Sequence, residues 1–171
     1  MIAITPLTPD AAVSAALTEA DFAEAAARGF ETVLNVRPDG EATDQLTTAL
    51  AKRAATAAGL EYVHIPTHKY ELFADDIVSG VAHVLASAQG PVLVYCASGQ
   101  RAAIVWAAAA ARTVVVNDVL ATLTAAGFDF DFLRDDLEAQ ADRARWTTAK
   151  PDKTTAAPTP APAPSSARAA A

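Results

Sequence analysis

Hydrophobic residues in this chain form short continuous runs that alternate with longer segments of helical periodicity. The runs that predict β-strands are Ile2–Ile4, Thr32–Val36, Tyr62–Thr67 and Val92–Tyr95. The segments that predict helices begin at Thr18, Thr43, Asp75 or Asp76, Ala102, Val114 and Asp131, and the first three stop at Gly29, Gly59 and Gly90. Because strands separated by helices form parallel βαβ units, the pattern predicts an α/β fold with a mainly parallel sheet flanked by helices.

A change of composition divides the chain at residue 147. Residues 1–146 carry all of the predicted elements and are expected to form one domain. Residues 147–171 are rich in alanine, threonine and serine and hold five of the chain's ten prolines. Because such a segment cannot bury an apolar core, it is predicted to be a disordered tail.

The charge and the apolar runs narrow the range of partners. The formal net charge is −7, and because residues 147–171 contribute +2, residues 1–146 carry −9. An acidic domain is a poor ligand for nucleic acid, so no nucleic-acid partner is expected. The N-terminus lacks the basic and apolar regions of a secretory signal, and the longest apolar run, Ala102–Ala111, is too short to span a bilayer. These features predict a soluble, cytoplasmic protein with no membrane partner.

The single cysteine of the chain lies where the last predicted strand meets an alanine-rich helix. The connecting segment is Cys96-Ala97-Ser98-Gly99-Gln100-Arg101. A helix N-terminus presents unpaired backbone N–H groups and a positive dipole end, which favour a thiolate or a bound anion. Gly99 permits a turn with inward-pointing amides, and Arg101 offers a planar guanidinium to an oxyanion. The segment therefore predicts a Cys96 nucleophile and an Arg101 anion ligand, with residues 97–100 as an anion cradle.

The same cysteine also has a simpler interpretation. A lone thiol at the end of an apolar strand is usually an inert core residue, because cysteine is among the most buried residue types. Arg101 alone would suit a solvated helix start. The combination of strand, cysteine, glycine turn, arginine and helix favours the functional interpretation, as it does for other phosphate-binding loops. One cysteine also excludes an intramolecular disulfide.

Ligands of open α/β sheets collect at the carboxyl ends of the strands, where two further loops join the cysteine segment. The candidates in these loops to border the site are Arg37, Asp39, Glu41, His68, Tyr70, Asp75 and Asp76. Each also suits a structural role, since aspartates favour turns and helix caps and an arginine suits a solvated loop. The three histidines have no thiol or carboxylate at metal-ligand spacing, so neither a metal nor another cofactor is expected.

The order of three segments is similar to that of a known family. The segments are GFETVLNVRPDGE at 29–41, AGLEYVHIP at 58–66 and GPVLVYCASGQR at 90–101. Over roughly residues 1–140 the chain resembles the phosphatase-like domain of bacterial beta-lactamase-hydrolase-like proteins. The resemblance implies a fold similar to dual-specificity protein phosphatases, with Cys96 as nucleophile and Arg101 as anion ligand. Members of this family look like cysteine phosphatases or rhodanese-like sulfurtransferases.

The cysteine loop departs from the family pattern, which usually reads Cys-Arg-Ser-Gly-Thr-Arg-Ser. This chain has Ala97, Gln100 and Ala102 instead, so it lacks one arginine and two hydroxyls, one of which helps the thiolate leave in cysteine phosphatases. Protein tyrosine and dual-specificity phosphatases also place one more residue between cysteine and arginine than the four of this chain. A shorter ring of amides seats a tetrahedral phosphoryl group less readily than a single sulfur atom.

Residues outside the loop also bear on the chemistry. Tyr95 replaces the histidine usual before a phosphatase cysteine, and Thr67 and His68 stand where dual-specificity enzymes place an acidic aspartate. The sequence therefore favours a rhodanese-like sulfurtransferase, in which Cys96 takes sulfane sulfur from thiosulfate or a persulfide and passes it to an acceptor. Some family members are fused to a metallo-beta-lactamase-type domain associated with persulfide oxidation, which implies a persulfide dioxygenase as a partner.

Two alternatives stay open for this site. A cysteine phosphatase would hydrolyse phosphate esters through a phosphocysteine, with Asp75, Asp76 or His68 as the acid. A non-catalytic module would bind small anions at the same loop without turning them over. In all three cases the partner is a small anionic molecule.

Overall fold

The computed structural model describes residues 1–148, which form a five-stranded sheet covered by helices. The strands are β1 (Ile4–Thr8), β2 (Ala11–Ser14), β3 (Thr32–Asn35), β4 (Glu61–His64) and β5 (Val92–Tyr95). The helices are α1 (Glu19–Ala27), α2 (Thr48–Ala57), α3 (Asp75–Ser87), α4 (Gln100–Ala110), α5 (Val116–Ala125) and α6 (Arg134–Thr148), with a short 3-10 helix at Asp131–Leu133. The predicted α/β class is confirmed.

Strand β5 lies at the centre of the sheet. The strand order is β1-β2-β5-β3-β4, and β5 pairs in parallel with both β2 and β3. β3 and β4 are also parallel, while β1 runs antiparallel to β2 at the edge. The carboxyl ends of β2, β3, β4 and β5 therefore lie along the same edge of the sheet. The loops that follow these strands can meet there, which is the usual position of a ligand site in this architecture.

The two faces of the sheet are covered by different helices. Alternate residues of β5 point to opposite faces, so Leu93 and Tyr95 pack with α1 and α2, whereas Val92, Val94 and Cys96 pack with α3 to α6. Helix α4 is buried on most sides, and its many alanines keep it close to the sheet and to the neighbouring helices. The thiol therefore faces the α4 side.

The N-terminal strands differ from the sequence prediction. The predicted strand Ile2–Ile4 is found at Ile4–Thr8, and its pairing with β2 is irregular between Pro6 and Thr8. Proline is tolerated there because β1 is an edge strand. The sequence does not predict β2, since its four residues, Ala11–Ser14, include two alanines and carry a weak strand signal.

Helix α2 begins later than the predicted start at Thr43. Thr47 is its N-cap, and the Asp39 carboxylate accepts the backbone N–H of Thr48 at 2.9 Å. Because Asp39 and Thr47 satisfy the first amides of the helix, the chain turns into α2 at this point. Residues 38–46 stay in the loop that follows β3, where they are free to reach across the edge of the sheet.

The predicted tail lies almost entirely outside the described residues. Helix α6 extends to Thr148, so the first two residues of the predicted tail, 147–171, belong to this helix. Disorder of the remainder stays a prediction. Among residues 1–148, no helix combines the length and the apolar character that a membrane crossing needs.

Candidate active site

Cys96 lies directly after β5 and is 1% exposed. The backbone N–H of Gly99 donates a hydrogen bond to the Cys96 sulfur across 3.1 Å. Gly99 is the N-cap of α4 and has a left-handed φ of 90°, a conformation that residues with a side chain rarely adopt. This turn points the amide back toward the sulfur. The thiol is thus held at the N-terminal end of α4, where the helix dipole favours negative charge.

The end of β2 supports the cysteine loop from one side. The N–H of Ala16 donates to the carbonyl of Ala97 across 3.3 Å. The backbone of Gly99 also passes close to β2, since a Cβ placed on it would lie 3.5 Å from the carbonyl of Ser14. The position of the loop therefore depends on a strand that the sequence does not predict.

Arg101, in the first turn of α4, joins the loops that follow β3 and β4. Its Nη1 donates to the carbonyl of Thr67 across 2.9 Å, and its Nη2 forms an ion pair of 2.9 Å with Glu41 Oε1. Thr67 is fully buried, and the Arg101 side chain is 18% exposed. The guanidinium is therefore fixed from two sides.

Glu41 also pairs with Arg37, in its own loop. The Arg37 Nε donates to Glu41 Oε2 across 3.1 Å, and the Arg37 side chain is 13% exposed. One carboxylate thus lies between two guanidinium groups. The structure brings these three predicted residues, Arg37, Glu41 and Arg101, together in one cluster of charges.

A cleft of about 230 Å³, here termed the Cys96 cleft, opens beside the thiol. Its lining residues are Lys69, Leu72, Cys96, Ala97, Ser98, Gln100, Arg101 and Ile104. Sequence reasoning missed three of them. Ile104 follows Arg101 by one helical turn, a spacing that does place two residues on the same side of a helix. Lys69 and Leu72 lie in the loop after β4, where no periodic pattern marked them. They add one cation and two apolar side chains to the site.

The other predicted residues of these two loops make structural contacts. Asp39 binds the N-terminus of α2 through Thr48. The His68 N–H donates to Glu71 Oε2 at 3.4 Å. Tyr70 is 87% exposed and lies beneath the Lys69 ammonium, 4.7 Å from it. None of the hydrogen bonds, ion pairs or ring contacts of these three residues involves Cys96 or Arg101.

The two aspartates at the start of α3 differ in their surroundings. Asp75 forms ion pairs with Arg112 at 2.7 Å and with Arg143 at 3.5 Å. Arg112 follows the C-terminal end of α4 and Arg143 belongs to α6, so this carboxylate is engaged away from the Cys96 cleft. Asp76 is exposed in the first turn of α3.

Tyr95, the residue before Cys96, lies on the opposite face of the sheet. Its ring packs edge-on against Phe22 of α1 at 6.3 Å between centroids. Burial, and then the neighbouring Tyr62, raise the pKa of the Tyr95 phenol far above its usual value. Tyr95 therefore stays protonated and contributes to the core on the face of the sheet away from the thiol.

Comparisons of the sequence with known proteins match one protein family. The family model for the phosphatase-like domain of beta-lactamase hydrolase-like proteins matches residues 3–113. A beta-lactamase hydrolase-like protein of Agrobacterium fabrum (strain C58) is 40% identical over 83 residues, which make up 48% of this chain and 19% of that protein. One from Xylella fastidiosa (strain Temecula1) is 36% identical over 87 residues, or 51% of this chain and 20% of that protein. The match thus spans about a fifth of these relatives' length.

Solved structures share the fold over most of the chain. A candidate phosphatase of Neisseria meningitidis Z2491, nma1982, gives a TM-score of 0.71 at 27% identity and covers 82% of this chain and 99% of its own. PTPMT1 gives a TM-score of 0.68 at 12% identity, with 86% and 99% covered. TpbA of P. aeruginosa gives 0.57 at 18% identity, with 87% and 92% covered. At those lower identities the likeness concerns the fold alone, and the predicted similarity to the dual-specificity phosphatase fold is confirmed.

Proposed function

Since this chain belongs to the family of phosphatase-like domains of beta-lactamase hydrolase-like proteins, we propose that it is a cysteine-dependent phosphatase that hydrolyses phosphate esters. The observation that carries the proposal is the Cys96 sulfur at the N-terminus of α4, which accepts the Gly99 amide and shares a cleft with Arg101. Sequence reasoning put sulfur transfer first. The comparisons favour the phosphatase alternative, because the structural neighbours include phosphatases.

The reaction would follow the two steps of covalent catalysis. The Cys96 thiolate attacks phosphorus, an S–P bond forms, and the P–O bond to the leaving group breaks with its electron pair on oxygen. Water then attacks the phosphocysteine, which releases inorganic phosphate and restores the thiolate. Arg101 and the amides at the start of α4 would stabilise the charge on the phosphoryl oxygens in both steps.

The leaving group needs a proton unless it is a stable anion. Of the three proposed acids, Asp75 is the least suited, because its carboxylate pairs with Arg112 and Arg143. Between Thr67 and Ala74 the chain has no aspartate. We therefore expect faster turnover of aryl phosphates, whose phenolate leaves without a proton, than of alkyl phosphates. A protein of the same fold, PTPMT1, has been crystallised with the phosphate ester PI(5)P, which illustrates the substrate class.

Sulfur transfer is the second candidate, and one observation favours it. Four residues separate Cys96 from Arg101, and the resulting tight turn brings an amide to within 3.1 Å of the sulfur. In this reaction the thiolate would attack the sulfane sulfur of thiosulfate, an S–S bond would form, and sulfite would leave with the electron pair of the broken bond. The step needs no general acid, which is consistent with a loop after β4 that has no aspartate between Thr67 and Ala74.

The first test compares the rates at which the wild type and Cys96→Ser hydrolyse p-nitrophenyl phosphate. It also measures the intact mass of both proteins by mass spectrometry after exposure to thiosulfate. Glu24→Gln, which removes a carboxylate from an ion pair on α1, serves as the control for surface charge. The proposal predicts hydrolysis that Cys96→Ser abolishes and Glu24→Gln keeps. Hydrolysis that survives in Cys96→Ser contradicts it. A gain of one sulfur atom without hydrolysis favours the second candidate. If the protein neither hydrolyses the ester nor gains sulfur, the anion-binding module is favoured.

A further inference from the structure

The loop after β3 reaches across the edge of the sheet to the start of α4. It brings Glu41 to Arg101, a residue 60 positions further along the chain. We propose that Glu41 is a positioning residue, whose carboxylate holds the Arg101 guanidinium in the orientation that receives the anion. The inference rests on the proposed role of Arg101 as the anion ligand, and it extends the proposed phosphatase function to a residue outside the cysteine loop.

Glu41 contacts Arg101 without lining the Cys96 cleft. The carboxylate lies 2.9 Å from Arg101 Nη2 through one oxygen and 3.1 Å through the other, yet Glu41 does not belong to the cleft lining. A carboxylate that imitated a substrate would occupy the cleft itself. The geometry instead resembles that of groups that orient a ligand-binding side chain without lining the ligand site themselves, a role that usually falls to hydrogen-bonded carboxylates and carbonyls.

The contacts of Arg101 leave part of its guanidinium for an anion. Nη1 donates to Thr67 and Nη2 donates to Glu41, whereas the group has five N–H donors in a rigid fork. The donors that remain lie on the sides of the guanidinium not used by Thr67 and Glu41. With both partners in place, a long and flexible side chain is restricted before any anion arrives, which lowers the entropy cost of binding.

The charge balance of the cluster argues for the same role. Arg37 and Arg101 are both largely buried and both face the Glu41 carboxylate. Removal of that carboxylate would leave two like charges close together in a partly desolvated place, where repulsion drives them apart. Because Arg101 has a flexible chain, it would rotate away from its present position. We therefore expect the loss of Glu41 to weaken anion capture even though it makes the site more positive.

The test uses alkylation of Cys96, the only thiol of the chain, by anionic iodoacetate and by neutral iodoacetamide. The ratio of the two rate constants measures attraction of an anion to the thiol and requires no phosphatase activity. If Glu41 positions Arg101, Glu41→Gln lowers this ratio, and kcat/KM for p-nitrophenyl phosphate falls by up to about 100-fold. Glu41→Asp keeps the negative charge, so its ratio is expected to lie between that of Glu41→Gln and that of the wild type.

The control is Glu24→Gln, which removes a carboxylate of similar exposure, 29% against 27%, from an ion pair with Arg28 on α1. Its ratio is expected to equal that of the wild type. A higher ratio of the two alkylation rate constants in Glu41→Gln would overturn the proposal, because it would show that the carboxylate only screens the charge of Arg101. An unchanged ratio would overturn the proposal as well. The effect of inorganic phosphate on the melting temperature gives a second reading, since the positioning role predicts a smaller phosphate-induced rise in Glu41→Gln.

These outcomes separate the two proposals. If the wild type hydrolyses no phosphate ester but the alkylation ratio falls in Glu41→Gln, Glu41 has the proposed role at a site with another substrate. If hydrolysis depends on Cys96 and the ratio does not change in Glu41→Gln, the phosphatase proposal stands and the role of Glu41 is wrong.

Discussion

Replacement of Gly99 by alanine is expected to lower both the stability of the fold and the reactivity of Cys96. Gly99 has a φ of 90°, and a Cβ added there would lie 3.5 Å from the backbone of Ser14, which is an ordinary contact. The stability cost is therefore one of backbone conformation and not of a clash. A residue with a side chain pays about 1–2 kcal/mol at positive φ, partly offset by the lower entropy of its unfolded chain. For a domain of this size we expect the melting temperature to fall by about 2–8 °C.

The loss of reactivity has a separate cause. The Gly99 amide donates to the Cys96 sulfur, and a hydrogen bond to a charged group contributes about 1.5–3 kcal/mol. If alanine turns this peptide away from the sulfur, the rate of thiolate reactions should fall by about 10- to 100-fold. The measurements are thermal unfolding and the rate of Cys96 alkylation at fixed pH.

A matched control is available at Gly127, which has a φ of 87° and no atom within 4 Å of an added Cβ. Gly127→Ala carries the same kind of backbone strain after the end of α5, outside the cysteine loop. It should lose stability as Gly99→Ala does but keep the wild-type alkylation rate. Equal alkylation rates in Gly99→Ala and the wild type would refute the argument that the Gly99 amide holds the sulfur.

Two further predictions concern the core. Because the pKa of Tyr95 is raised in the fold, the unfolded chain loses that proton first as the pH rises past about 10. The free energy of unfolding should then fall by about 1.4 kcal/mol per pH unit because of this group. In urea unfolding between pH 10 and 11, Tyr95→Phe should lose less stability per pH unit than the wild type. Equal losses in the two proteins would contradict this. Leu137→Ala, at a fully buried position of α6, should cost about 2–5 kcal/mol in urea unfolding, and a cost below about 1 kcal/mol would mean that α6 unfolds apart from the sheet.

The elements around the thiol were predictable because their signals are local. The run Val92–Tyr95 is apolar and β-branched, Gly99 marks a turn, and the alanines that follow favour a helix. These signals occupy adjacent positions, so the sequence placed Cys96 between strand and helix. The structure agrees with that placement.

The contacts that fix Arg101 could not be predicted in the same way. Thr67 and Glu41 lie 34 and 60 positions away from it, and no local pattern relates residues at such separations. The sequence did list Glu41 as a candidate at the site, since the loop after β3 ends at the same edge of the sheet. It could not tell that Glu41 contacts the arginine while Asp39, two positions earlier, binds α2.

The buried face of α2 is a second feature that depends on contacts between distant residues. Leu46, Leu50 and Ala54 follow one another at intervals of four residues, which places them on one side of a helix, yet Leu50 is 40% exposed while Ala51 and Ala55 are buried. Helix α2 packs against α1 and β4 through these small residues, and the choice of face depends on how close the partners come. Periodicity identifies a helix more reliably than it identifies the face that turns inward.

The central position of β5 also has a consequence for how the protein acquires its structure during synthesis. β2 and β3 do not pair with each other, so until residues 92–95 have been made, β1–β2 and β3–β4 are the pairings of this sheet that can form. The strand that joins these halves is the one that Cys96 directly follows. Because its pairings span roughly 60 to 80 residues, sheet closure is a late and long-range event. A ribosome-bound chain would therefore gain its reactive loop only in the step that completes the sheet.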